Sequence, residues 1–372
     1  MKEPDDKAML NVFGAWTGQE ELDEISPSVH SSWLGLGPKV AQFEAAFSAR
    51  LDLPGLCLLD SGSNALFLAI KLLDLPPHSE VIVPSLTWVA CAHAVLLAGH
   101  RPVFADVDLA TQNITAEIAA RAFNRNTKAI MVVHYAGKPV DMKSFPDFHV
   151  PLIEDAAHAV DSKIDGSFCG SFGDVAIYSF DAIKNIAMPE GGGLTAKDPA
   201  LIERARSLRY CGISKSGHRA DAGQRWWEHS IQAVMPKMLP NDINAGIGLA
   251  QLRKLDAHQT RRRVIWRIYQ EEFSRLAWLT TPQEAGPNEQ HSYFTYLIRL
   301  ERRDALAGFL RDKGIYTTFR YYPLHMNPIY QSQHLTLPNC EQLNREGLNL
   351  PLHPRLSDSD IDRVIQGIRD FQ

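Results

Sequence analysis

Three things are missing from this 372-residue chain, and each absence removes a class of function. No apolar run approaches the roughly 20 residues that a membrane-spanning helix needs, so no membrane partner is expected. Nor is there a basic excess: 38 Lys and Arg stand against 43 Asp and Glu, a net charge of −5. Nucleic acids and anionic lipid surfaces both call for a positive surface, so neither is expected as a partner. Cysteine is scarce and scattered. Cys57, Cys91, Cys169, Cys211 and Cys340 form no CxxC pair and read as reduced thiols of a cytoplasmic protein. The 14 histidines form no HExxH motif and no cluster, so no metal site is expected. The opening stretch MKEPDDKAMLNVFG is too acidic and polar for a secretory signal.

What is present is an alternation of short apolar runs with helical stretches. The runs at 57–60, 81–84, 102–107, 129–134, 151–155 and 175–180 read as strands. Between the first two, Leu66, Ala69, Ile70 and Leu73 keep helical spacing. Strands alternating with helices predict βαβ units and a mainly parallel sheet, whose ligands bind at the carboxyl ends of the strands. From about residue 256 the pattern changes. HSYFTYLIRL (291–300) alternates like a strand, RDALAGFLRDKG (303–314) like a helix, and 357–371 like a closing helix capped by Ser357 or Ser359. Two units are therefore expected, a large α/β domain over 1–255 and a smaller α+β domain over 256–372.

Polar residues cluster at the expected strand ends. DSGSNALFLAI (60–70) places Ser61, Gly62, Ser63 and Asn64 where a strand turns into a helix, an arrangement suited to an anion. Ser63 alone would equally serve as an ordinary helix cap. Trp88, in PSLTWVA, offers an indole to a flat ring, although tryptophans more often pack in cores. LIEDAAHAV ends a strand on Asp155 with His158 three residues on; a buried aspartate beside a ring nitrogen keeps that nitrogen protonated. YSFDAIKNIAMPEGGGLTA puts Ser179 and Lys184 ahead of three glycines. A lysine before a turn is ordinarily a surface residue, but a desolvated one is a nucleophilic amine. The GKP stretch at 137–139 has no evident chemical role. An anion cradle, an aromatic plate, an acid for a ring nitrogen and an amine nucleophile are together the parts that hold pyridoxal phosphate as an electron sink.

With these motifs in order, the chain resembles the DegT/DnrJ/EryC1/StrS sugar aminotransferases, which are fold-type I pyridoxal-phosphate enzymes. The resemblance runs from SSWLGLGPKVAQFEAAF (31–47) through LIEDAAHAV and NDINAGIGLAQLRKLD to LPNCEQLNREGLNLPLHPRLSD. It implies a large domain with a seven-stranded, mainly parallel sheet and a smaller C-terminal domain. Lys184 would carry the cofactor covalently, Asp155 would pair with its ring nitrogen, Trp88 would stack on the ring and His158 would lie near the ring oxygen. Gly62, Ser63 and Ser179, with Asn64 beside them, would hold the phosphate, and Lys237 would reach it from the other subunit of a homodimer. Pro189, Pro236 and Pro240 depart from the family pattern.

The implied reaction moves an amino group from an amino acid, glutamate or glutamine, to a keto sugar. The acceptor implied first is a nucleotide-linked 4-keto or 3-keto deoxysugar, with a keto-cyclitol or free aminoglycoside precursor as the alternative. A pyridoxal-phosphate-binding regulatory protein is a further, non-enzymatic reading. Dehydratases of the same fold carry histidine where Lys184 stands, which speaks against that chemistry. Arg225, Trp226 and Trp227, and also Arg320, Tyr321 and His325 in TTFRYYPLH, are candidates to meet the substrate. The paired tryptophans serve equally well as a subunit contact.

Overall fold

The computed structural model describes residues 9–213, 223 and 225–371. Part of the expected helix break at 210–224 thus lies outside the described residues. Five strands come first: β1 (Cys57–Leu59), β2 (Glu80–Pro84), β3 (Arg101–Ala105), β4 (Thr127–Val133) and β5 (Leu152–Asp155). Short β6 (Lys163–Ile164) and β7 (Ser167–Phe168) follow, then β8 (Val175–Ser179) and β9 (Gly192–Ala196). The main sheet has seven strands in the order β1-β9-β8-β5-β4-β2-β3. The pairs β2/β3, β2/β4, β4/β5 and β5/β8 are parallel, while β9 runs antiparallel between β8 and β1. Residues of β2, β8 and β9 are buried throughout. Helices cover both faces of such a sheet, which is why its strands read as continuous apolar runs. Each fully buried Val, Leu or Ile there contributes on the order of 1.5–3 kcal/mol.

The helix Gly62–Leu72 starts directly after β1 and packs on β8 and β9. Its cap is Ser61, whose Oγ accepts the Asn64 N–H at 3.2 Å, so Ser63 is left in the first turn. The 32-residue helix Asp242–Phe273 is capped by Asn241 and joins the two cores. Its first half puts Ala245, Leu249 and Leu255 against Phe43, Phe47 and Phe180. Its second half puts Ile265, Trp266, Tyr269 and Phe273 against the C-terminal layer. That layer is built from β10 (Glu289–Gln290), which pairs back onto β6, and from β11 (Tyr296–Arg299) antiparallel to β12 (Gly347–Leu350). The helices Arg303–Asp312 and Asp358–Arg369 complete it, the latter opened by a Ser357/Asp360 capping box.

The expected strand 291–300 is shorter than its alternation suggests. Tyr293 takes a left-handed φ of 49°, and residues 292–294 pair instead with a loop of the large sheet. Ser292 N–H donates to Gly137 O at 3.2 Å and Phe294 N–H to Ala136 O at 3.1 Å. The detour carries Phe294 toward the carboxyl ends of β4 and β5.

The EGGG run has a mechanical role. A Cβ on Gly192 would sit 2.2 Å from Ser61 O and 2.5 Å from Gly62 N. Both atoms are backbone, so only a glycine lets β9 lie this close to the turn after β1. Gly192→Ala is therefore expected to destabilise the protein by about 1–3 kcal/mol in urea unfolding. Gly308, a helical glycine with nothing within 4 Å of a built Cβ, is expected to respond oppositely. Gly308→Ala should stabilise by roughly 0.5–1 kcal/mol in the same experiment.

Candidate active site

The carboxyl ends of β2, β4, β5 and β8 and the start of the helix Gly62–Leu72 enclose a cavity of about 270 Å³. Gly62, Ser63, Trp88, Asp155, Ser179 and Lys184 all line it, as do His158, Arg320 and Tyr321. Residues separated by more than 250 positions thus converge on one space.

Lys184 lies in the turn that leaves β8, its N–H bonded to Asp181 O at 2.9 Å. Its Nζ sits 4.8 Å from the centre of the Phe294 ring. Burial pulls the ammonium down to about 8; Asp155 opposes this and Arg320 adds to it. A substantial fraction of the amine is therefore neutral near pH 8, where an ordinary lysine is almost wholly charged.

Asp155 ends β5 and is buried. Its Oδ1 accepts the Ala157 N–H at 2.9 Å, and its Oδ2 accepts the thiol of buried Cys91 at 3.1 Å. The carboxylate is thus oriented from behind, with no cation within ion-pair distance among the described residues. His158 has its tautomer set by the backbone. Its Nδ1 accepts the Ala136 N–H at 3.3 Å, which leaves the proton on Nε2, 3.1 Å from the Tyr321 hydroxyl. Burial holds its charged form well below the usual range, with Lys184 and Arg320 adding to the effect. The imidazole stacks on Phe294 at 4.1 Å and 17°. Trp88 stands at the mouth, half its surface exposed, 5.4 Å from the Tyr321 ring.

At the opposite end Gly62 lies against Ser179: a Cβ there would come within 2.9 Å of Ser179 Cβ and 3.0 Å of its Oγ. As the first two helical residues, Gly62 and Ser63 have no intrahelical acceptor for their N–H groups. Two free amides, a positive helix end and two hydroxyls suit a phosphate. A desolvated amine, a carboxylate without a cation and an exposed indole suit the rest of pyridoxal phosphate. The residues fit that group.

Six expected site residues, Asn64, Arg225, Trp226, Trp227, Lys237 and His325, lie elsewhere in the chain's own fold. Asn64 turns its Nδ2 to Asp60 Oδ1 at 2.8 Å, completing the turn rather than facing the cavity. His325 is buried behind the site, its Nδ1 2.7 Å from Ser85 Oγ and its Nε2 3.5 Å from Glu341 Oε1. Arg225 pairs with Glu228 at 2.9 Å, and Trp226 packs edge-on against Trp227 on the surface. Lys237 is exposed, bridged to Tyr210 across a loop in which Met238 N–H bonds to Arg209 O at 2.8 Å. The GKP stretch is structural. Lys138 pairs with Glu289 at 2.7 Å, and Gly137, at φ 90°, accepts Ser162 Oγ at 2.7 Å. Cys91, Ala136 and Phe294 escaped sequence reasoning.

Fold and cavity together define a fold-type I pyridoxal-phosphate enzyme. A model of the DegT/DnrJ/EryC1/StrS aminotransferase family matches residues 16–369, and the chain belongs to that family. It is 40% identical over 366 residues to the dTDP-4-dehydro-2,3,6-trideoxy-D-glucose 4-aminotransferase of Saccharopolyspora spinosa, covering 96% of this chain and 95% of that one. It is 34% identical to the spore coat polysaccharide biosynthesis protein SpsC of Bacillus subtilis, covering 95% of each. Among solved structures, the aminotransferase TlmJ of Streptoalloteichus hindustanus superposes with a TM-score of 0.91 at 40% identity, over 97% of this chain and 98% of that one. The Streptococcus pneumoniae protein Spr1654, solved in its PLP form, superposes at 0.87 with 25% identity, over 96% and 97% of the two chains. Pyridoxal phosphate is the cofactor, and the protein is an aminotransferase.

The depressed Lys184 amine makes cofactor capture pH-dependent in a defined window. The rate at which apoprotein takes up pyridoxal phosphate, followed by absorption, should rise with pH and reach half its plateau near about 8. A midpoint near an ordinary lysine's value of roughly 10.4 would contradict this assignment.

Proposed function

We propose that the protein transfers the amino group of glutamate or glutamine to the keto carbon of a nucleotide-linked deoxysugar, at a 4-keto or 3-keto position. The observation that carries this reading is one cavity holding the Lys184 amine, the Asp155 carboxylate and the free amides of Gly62 and Ser63. The 40% identity to the Saccharopolyspora spinosa 4-aminotransferase supports the nucleotide-linked acceptor.

When bound, pyridoxal phosphate supplies an aldehyde for the amine and a ring that accepts an electron pair. Lys184 Nζ would hold it covalently, and the amine would take up the proton that leaves the donor's α-carbon and later return it. Asp155 keeps the ring nitrogen protonated, with Cys91 and the Ala157 amide fixing its carboxylate. Gly62, Ser63 and Ser179 would hold the phosphate, Trp88 would shield the ring from water, and neutral His158 would donate from Nε2. Lys237 serves the site of a second copy in a homodimer. In support, the segment before it exposes Trp226, Trp227, Ile231 and Val234, the last almost fully. Among the described residues no helix is long and apolar enough to cross a membrane, and we place the enzyme in the cytoplasm.

The holoprotein's visible absorption should shift on adding an amino donor and return on adding a keto-sugar nucleotide. Lys184→Ala should abolish both changes. Asp155→Asn, which still accepts the Ala157 N–H, should lower kcat by about 100- to 1,000-fold. Faster return with a keto-cyclitol than with any sugar nucleotide would move the acceptor to the cyclitol class.

A further inference from the structure

Tyr321 lines the same cavity as Lys184, and its hydroxyl serves none of the steps already assigned. The phenol packs between two rings of the site, its centre 5.4 Å from that of Trp88 and 5.9 Å from that of His158. Its oxygen lies 3.1 Å from His158 Nε2. The Ala136 N–H occupies His158 Nδ1 at 3.3 Å, so the imidazole donates from Nε2 and the phenol oxygen accepts. Tyr321 keeps its own proton, and among the described residues no group accepts it. A buried hydroxyl with a donor behind it and no protein acceptor presents its proton to the cavity it lines. Burial holds the phenol up at about 12 although the Arg320 charge opposes this, so the proton is present throughout the neutral range.

The backbone is fixed on both sides of this phenol. Arg320 N–H donates to Asn349 Oδ1 at 2.9 Å, and Asn349 is held in turn by Thr295 Oγ1 at 2.7 Å. Beyond Tyr321, Leu324 N–H donates to Ser85 O at 2.9 Å and His325 N–H to Ser85 Oγ at 3.1 Å. Ser85 follows β2, so the segment is pinned to the carboxyl end of the large sheet. The other neutral donors lining the cavity have tasks of their own. Ser61 caps the helix, Ser63 and Ser179 serve the phosphate, and Thr87 Oγ1 lies 3.2 Å from Cys91 Sγ.

From this chain of donors we infer that Tyr321 is a catalytic residue, the acid that protonates the oxygen which the transferred nitrogen replaces. The inference rests on the aminotransferase reading and adds a residue to that same cavity. In the acceptor half of the reaction a carbon–nitrogen bond forms, the carbon–oxygen bond breaks, and two protons pass from nitrogen to oxygen to make water. Tyr321 gives its proton to the oxygen as the nitrogen attacks and recovers one from the nitrogen. A second pass completes the water and returns the phenol unchanged. Release of the donor's keto acid is the same exchange run backwards, so one phenol serves both halves. The bond accepted from His158 polarises the phenol O–H and strengthens it as a donor. Lys184 moves the proton at carbon and Tyr321 the protons at oxygen.

That division of labour is what the test separates, in a Tyr321→Phe holoenzyme that loses only the hydroxyl. Exchange of the α-hydrogen of L-glutamate or L-glutamine in D2O, followed by NMR, needs the Lys184 amine but breaks no carbon–oxygen bond. The single-turnover reaction of enzyme loaded with pyridoxamine phosphate, given 2-oxoglutarate or 2-oxoglutaramate and followed by absorption, needs both. Tyr321→Phe should keep wild-type exchange, cofactor affinity and Tm, while its single-turnover rate falls by about 100- to 1,000-fold. A variant in which exchange and turnover fall together would overturn the assignment and make the phenol a packing residue. A wild-type turnover rate in the variant would overturn it as well. Wild-type enzyme that shows neither exchange nor turnover would instead refute the aminotransferase reading itself.

Discussion

The site is laid out from one close backbone approach. Gly192 lies between Leu59 of β1 and Ser179 of β8 in the sheet, with no room for a Cβ against the Ser61–Gly62 turn. The strand on one side of β9 runs into the helix whose free amides face the cavity. The strand on the other side runs into the turn that bears Lys184. The single strand between them sets the distance from those amides to the amine, and Gly62 against Ser179 closes the same gap. A side chain at either glycine would push the anion cradle away from the lysine. β9 is also where the parallel order of the sheet breaks, so a short antiparallel strand defines the site's width.

Charge in the cavity is arranged by exclusion of water as much as by pairing. Lys184 is desolvated enough to lose its proton near about 8, although Asp155 shares the space. His158, locked by the Ala136 amide and flattened on Phe294, stays a neutral donor. Behind them Glu154, the neighbour of Asp155 on the opposite face of β5, accepts His134 Nε2 at 2.8 Å, Gly170 N–H at 2.8 Å and Phe172 N–H at 2.6 Å. Burial raises that carboxyl, but the His134 and backbone hydrogen bonds more than reverse it. His134 Nδ1 accepts Val140 N–H at 3.0 Å, which turns its Nε2 to Glu154. One strand end thus presents a carboxylate to the cavity and uses the other to brace the loops on either side.

The strands were legible because both sheet faces are covered, leaving continuous apolar runs. Asp155, Ser179 and Lys184 were legible because each sits at the end of such a run, where the fold puts ligands. The residues that complete the site were not, because their roles come from contacts remote in sequence. Cys91 meets Asp155 across 64 positions. Phe294 arrives only because 292–294 abandons its strand pattern to pair with a loop in the left-handed region at Ala136, φ 58°. Side-chain direction was equally hidden: Asn64 looks back to Asp60, and His325 is taken by Ser85, 240 positions away. The three prolines differ in the same way. Pro236 and Pro240 flank buried Met238, whose carbonyl accepts Asp60 N–H at 3.3 Å; nothing in the structure explains Pro189.

This chain assembles these parts around one amine. The account therefore stands on which lysine bonds the cofactor, and peptide chemistry reads that directly. Holoenzyme reduced with borohydride, digested and analysed by mass spectrometry should carry the pyridoxyl group on the peptide containing Lys184. Labelling of Lys138, Lys237 or any other lysine in place of Lys184 would contradict the account.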